Sequence, residues 1–163
     1  MEFELFRRIL LALADAGVDY VLVGGVAVNL HGVVRATEDI DLFVRLDDEN
    51  IERLKSALSA VWDDPEIGTF SASDFDADCA TLRYAPPHTE LVVDVITRIG
   101  TKIVFADLES QSIDVGGAIA RVATIPTLIR MKEGTLRPID RADVAALSSH
   151  MHKRADPRQE GPR

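Results

Sequence analysis

Cysteine is nearly missing from this 163-residue chain: Cys79 is the only one. It cannot close an internal disulfide, so no bridge staples the fold, and such usage fits a reducing cytosol. The expected role for Cys79 is a small buried apolar side chain. Aromatic residues are also few, at 6%. The core that a 47% hydrophobic content can supply is therefore mostly aliphatic. No run of about 18 uncharged apolar residues occurs, which argues against any membrane-spanning helix. The opening "MEFELFRRILLALADAG" carries acids at Glu2 and Glu4 and no small-residue cleavage pattern, which argues against a secretory signal. It reads instead as an amphipathic helix with Phe3, Phe6, Leu10 and Leu13 on one face. No internal repeat is visible. Positive charge is in short supply, and a net charge of −9 disfavours long non-specific contacts with nucleic acid.

What charge there is lies unevenly. Residues 1–119 hold 9 basic and 22 acidic side chains, a balance of −13, whereas residues 120–163 hold 9 basic and 5 acidic, a balance of +4. The length suits one domain, here read as residues 1–150, followed by a disordered tail over 151–163. Helices are expected over 3–16, 25–32, 49–62, 126–134 and 138–150. Strands are expected over 18–24 and 39–45, in "ATLRY" and in "ELVVDVIT", with shorter extended pieces around 103–106, 112–115 and 119–123. Residues 63–79, acidic and rich in Ser, Asp and Gly, read as a loop with at most one short strand. Helices alternating with strands over short links predict an α/β (α+β) fold with a mixed β-sheet flanked by helices.

Two residues break the apolar pattern of 39–45. Successive side chains on a strand alternate faces, so Asp39 and Asp41 share one face about 7 Å apart, while Ile40, Leu42 and Val44 take the other. Like charges this close repel, and a divalent cation relieves both the repulsion and the cost of desolvation. Asp94, set in a valine-rich strand, would complete a triad if that strand lies beside residues 39–45. It could then complete a metal pair or accept a proton from an attacking hydroxyl. Taken singly, D-x-D is common, and an isolated acid in a strand can simply face solvent. Gly24 and Gly25, where the first strand meets a short helix, let the chain turn sharply and a ligand approach closely. Neither a dinucleotide fingerprint nor a P-loop is present.

The order strand, Gly-Gly, helix, "HGVVRATEDID", strand, and a later aspartate in an apolar strand resembles the nucleotidyltransferases of the DNA polymerase beta superfamily. It is most similar to the small bacterial members that include the AbiEii-type toxins. The run Arg35 to Leu42, with Arg35 and Thr37, matches the family pattern beyond bare D-x-D. A second similarity, "LIRMKEGTLRPIDRADVAAL", supplies Lys132, Arg137, Asp140 and Asp143. Ile139 departs from it, since many relatives carry lysine there. The resemblance covers residues 18–148 in pieces and is weakest over 60–90.

The resemblance implies a nucleotidyltransferase fold and transfer of a nucleoside monophosphate from an NTP to an acceptor hydroxyl. Asp39, Asp41 and Asp94 would be the metal ligands and catalytic acids, with Mg2+ or Mn2+ as the cofactor. Gly24, Gly25, Arg35, Thr37, Lys132 and Arg137 would bind the nucleotide. A point charge at Lys132 and a fork at Arg137 suit triphosphate oxygens, although charge pairing along a helix surface explains them equally well. Asp140 and Asp143 would orient this basic pair or cap the last helix, and His31 is expected at a helix end rather than as a base. The acceptor could be tRNA, a protein or a small molecule, and the family context suggests a cytoplasmic toxin with an antitoxin protein as partner. A different class of reading is a catalytically silent nucleotide-binding module, an antitoxin or regulator on the same fold.

Overall fold

The computed structural model describes residues 2–75, 80–101, 103–133, 135 and 137–155, with side chains through Lys153. Helix α1 spans Phe3–Asp15 and buries Phe6, Ile9, Leu10 and Leu13, an i, i+3, i+4, i+7 stripe. Phe3, expected on that stripe, is instead 55% exposed, because it precedes the turn that first meets the core. Gly17 ends the helix at φ +66, a left-handed conformation that costs glycine little. Strand β1, Tyr20–Val23, is buried on both faces and leads directly into the short helix α2, Gly24–Leu30. His31 closes α2 and is buried there, with its Nε2 2.7 Å from the Ala123 carbonyl oxygen. It is thus a helix-end residue with a structural tie.

Strand β2 is Asp39–Val44 and helix α3 is Asp48–Val61. Asp47 caps α3 by accepting the Asn50 backbone N–H at 2.9 Å. The Asn50 side chain is wholly buried and bonds both backbone groups of Asp19 and the carbonyl of Arg45. It thereby locks the start of α3 to the chain entering β1 and leaving β2. Residues 63–75 form two 3₁₀ turns, Pro65–Thr69 and Ala72–Asp74, and no strand among the described residues. Residues 76–79 lie outside them, and with them the expectation for Cys79.

The two strands anticipated around the Pro-Pro turn are β3, Thr81–Tyr84, and β4, Val92–Ile96. Arg98–Ile99 and Ile103–Val104, β5 and β6, make a separate small hairpin. Only two residues of the piece expected at 103–106 are therefore extended, and a 3₁₀ turn follows. Ser110–Val115 and Ala118–Ala123, β7 and β8, form a hairpin about Gly116 and Gly117, both at positive φ. Helix α4, Ile125–Lys132, has Pro126 in its first turn and Thr124 as its cap. Helix α5, Pro138–Ala155, runs five residues past its expected end at 150. The rest of the expected disordered tail, 156–163, lies outside the described residues.

The main sheet has the order β3-β4-β2-β1-β8-β7. β1 runs antiparallel to β2 and parallel to β8, while β2 and β4 are parallel neighbours. The fold is therefore mixed α/β with helices flanking a mixed sheet, as expected. α1 packs on α3 and β8, α2 on β1 and β2, and α4 on α5. The decisive consequence is register: Asp41 stands opposite Asp94 across β2 and β4.

Candidate active site

Along β2 the burial alternates at first, with Asp39 and Asp41 partly exposed and Ile40 and Leu42 fully buried. The apolar residues anchor the strand in the core, and the pleat then turns both carboxylates to the opposite face. Asp94 does the same on β4, where Val93 and Val95 are buried behind it. Because Asp41 and Asp94 are paired positions on adjacent strands, their side chains lie on one face about 5 Å apart at the backbone. The three acids that the sequence singled out therefore share one shelf at the centre of the sheet.

Asp41 bears most of the strain. Its pKa is raised from 3.8 to about 6, first by burial and then by the charges of Asp94 and Asp39, against smaller opposing effects of Lys132 and Arg35. Among the described residues no hydrogen bond or ion pair engages its carboxylate. The glycine pair makes room here. A Cβ on Gly24 would stand 1.9 Å from Asp41 Oδ2, and Gly24 sits at φ +64. A Cβ on Gly25 would stand 2.8 Å from Thr37 Oγ1. Both glycines accommodate neighbouring site residues before any ligand is considered.

Asp94 is differently placed. Arg83 on β3 is its cross-strand partner and grips it with a two-point fork, Nε to Oδ1 at 2.9 Å and Nη2 to Oδ2 at 2.8 Å. The same Nη2 stands 4.0 Å from Asp39 Oδ2. The hydrogen bond to Asp94 and the nearby acids hold the Arg83 pKa above its ordinary range. Sequence reading missed Arg83. "ATLRY" is an unremarkable edge strand until the register sets its fourth residue opposite an acid.

A cavity of about 270 Å³ opens beside the shelf. Gly24, Asp41, Lys132, Thr135, Arg137 and Asp140 form its polar side, and Val23, Ile96, Ile99, Leu128 and Met131 its apolar side. Lys132, with a side chain 9% exposed, lies between Asp140 and Asp143 at 2.8 Å from each. Arg137 and Thr135 also bond Asp140. The Arg137 contact comes first among the causes that hold the Asp140 carboxyl far below the usual range. Arg35 reaches Asp143 at 2.7 Å, and its backbone exchanges two hydrogen bonds with the Asn29 side chain. The two aspartates thus orient the basic side chains. Arg35 and Thr37 do not line the cavity: Arg35 joins this ionic network, and Thr37 packs against Gly25. Ile139 is 45% exposed. The apolar wall and Thr135 carry no sequence signal apart from ordinary hydrophobic spacing.

The donor set suits a hard divalent cation. It offers oxygen only, and the Asp41 carboxylate is one whose charge its surroundings resist. Among the described residues, no group of three acidic, histidine or cysteine side chains closes into a ready-made cage.

A family model described as nucleotidyl transferase AbiEii toxin, type IV toxin–antitoxin system, matches residues 7–132. The match includes the acid shelf and ends at Lys132, before Arg137, Asp140 and Asp143. The fold is similar to the crystal structure of an antigenic nucleotidyltransferase-like protein from Paracoccidioides brasiliensis, with a TM-score of 0.55 and 16% identity over 85% of this chain and 72% of that one. It is also similar to the solution structure of the antibiotic-resistance factor ANT(2″)-Ia, with a TM-score of 0.51 and 13% identity over 94% and 92% of the two chains. No curated protein matches the sequence significantly.

Proposed function

The chain belongs to the AbiEii nucleotidyltransferase toxin family, and on that premise we propose that it is a metal-dependent enzyme moving a nucleoside monophosphate from an NTP to an acceptor hydroxyl. One observation carries this reading. Asp41, pressed by Asp39 and Asp94, lines the same cavity as Lys132 and Arg137. Negative charge that calls for a cation therefore faces positive charge that calls for phosphate, across a space the size of a small ligand.

Asp39 and Asp41, with Asp94, are the residues that would hold Mg2+ or Mn2+. The ion would neutralise phosphate charge and stabilise entering and departing oxygens. Lys132 and Arg137 orient the triphosphate, and the aspartates behind them fix their position. The apolar wall of Ile96, Ile99, Leu128 and Met131 receives the nucleoside and keeps water from that side of the cavity. Asp94, on the β3 side of the shelf, accepts the proton from the acceptor hydroxyl as it attacks the α-phosphorus, and pyrophosphate leaves. The acceptor is tRNA, a protein or a small molecule, and an antitoxin protein is the expected partner. No helix among the described residues is long and apolar enough to cross a membrane. The reading places the protein in the cytoplasm.

The test is incubation with labelled NTPs, Mg2+ and cell extract. Label should pass to a macromolecule or small acceptor, and Asp39→Ala or Asp41→Ala should reduce transfer on the order of 10³-fold with the fold intact. Wild-type turnover by either variant would sink the assignment. One observation favours a second reading, a silent nucleotide-binding module: the Arg83 fork engages both oxygens of Asp94. Tight NTP binding without any transfer of label would select it.

A further inference from the structure

Arg83 has no place in the reaction just described, yet it touches one of its acids and stands close to another. The asymmetry of the contact is informative. The Asp94 side chain is 12% exposed, while that of Arg83 is 64% exposed. A buried carboxylate beside two others is held by a cation that is itself free to leave toward solvent. Water around the exposed guanidinium screens the pair and limits its contribution to stability. The pair has another consequence: both Asp94 oxygens are engaged, and the guanidinium brings its positive charge to the side of the shelf between Asp94 and Asp39. A second cation entering there meets a charge of its own sign.

We propose that Arg83 is a positioning residue that fixes the Asp94 carboxylate and competes with divalent cations for it, so that cation occupancy next to Asp94 requires the fork to open. The inference rests on the metal-dependent reading above. Three physical points support it. The fork is planar and bidentate, which locks the carboxylate plane as a lysine could not. Arg83 lies on β3, at the outer edge of the sheet, where a side chain can swing out without disturbing the core. The Arg83–Asp94 pair is in register across β3 and β4, so its geometry is set by the sheet rather than by a loop.

The experiment measures Mn2+ binding directly, by electron paramagnetic resonance and calorimetry, in the absence of nucleotide. The proteins are wild type, Arg83→Gln, Arg83→Lys, Asp94→Asn, Arg83→Gln/Asp94→Asn and Asp41→Asn, each first checked for a cooperative thermal transition. Arg83→Gln should bind Mn2+ about tenfold more tightly or take up a further ion, the size expected for removing a unit charge about 5 Å from a divalent ion in a water-like dielectric. Arg83→Lys should fall between, because it keeps the charge and loses the fork. In the Asp94→Asn background the Arg83→Gln change should have little further effect. A purely structural ion pair would leave the Arg83→Gln and Arg83→Lys isotherms on the wild-type curve. Superimposable isotherms for wild type and Arg83→Gln, with binding that Asp41→Asn abolishes, would overturn the competition and leave the metal reading standing. Absence of Mn2+ binding in every protein would overturn both.

Discussion

The acid shelf on β2 and β4 and the basic cluster gathered around α4 and the start of α5 face each other across one cavity, and they are built on opposite terms. In the basic cluster every cation has a carboxylate partner, although Arg35 Nε is buried without a hydrogen bond among the described residues: Lys132 lies between two aspartates, Arg137 and Thr135 bond one of them, and Arg35 the other. On the shelf, Asp41 has no such partner among the described residues, and its ionisation is resisted. A network of paired charges holds its members in place. An unsatisfied one keeps free energy available for a ligand. The contrast assigns rigidity to the basic side and demand for a compensating charge to the other.

Breaking the paired side should have the largest effect on stability. Lys132→Ala leaves Asp140 and Asp143 buried without their shared ammonium and should destabilise the protein by about 3 kcal/mol in urea denaturation. A loss within error of zero would mean that Arg35, Arg137 and Thr135 suffice, and that Lys132 is free to serve substrate alone.

Next comes the glycine that makes space for the shelf. Gly24→Ala should cost about 2 kcal/mol, from the left-handed backbone and from the collision with the Asp41 carboxylate together. Adding Asp41→Ala should recover the part due to collision. A double-mutant cycle with no coupling would show that Gly24 serves only the turn.

The shelf itself should give a change no larger than that of Gly24, and in the opposite direction. In metal-free buffer Asp41→Asn should stabilise the protein by on the order of 2 kcal/mol above pH 6. The sign follows from a folded pKa raised from 3.8 to about 6. Below the lower value both folded and unfolded wild-type chains carry the proton, and the variant gains nothing. Between the two values the unfolded wild type ionises first, so its folded state loses stability as pH rises. Above the upper value the difference is constant. Denaturation across this range would check it, and added Mg2+ should narrow the gap by stabilising the wild type. A variant less stable than wild type above pH 6 would contradict the burial argument.

Much of this was legible in the residues. Asp39 and Asp41 had to share a face because a strand alternates, and Asp94 stood out because its neighbours are valines. The end of α1 at Gly17 follows from local chemistry, which also offers Asp47 or Asp48 as the cap of α3; the fold uses Asp47. Phe3 misled, since amphipathic spacing says which residues share a face but not where the core begins. The hairpin at 98–104 and the 3₁₀ turns over 63–75 were hard to foresee because their short segments carry too little periodicity to declare themselves.

Local sequence alone determined the longer strands and the side of β2 on which its acids stand, because these depend on neighbours a few residues apart. Only the tertiary structure decided that Asp94 stands opposite Asp41, that Arg83 grips it, and that Arg35 on one loop meets Asp143 on the last helix. Those contacts join residues 11 to 108 positions apart. Strand register and helix packing create them, and no local pattern encodes either.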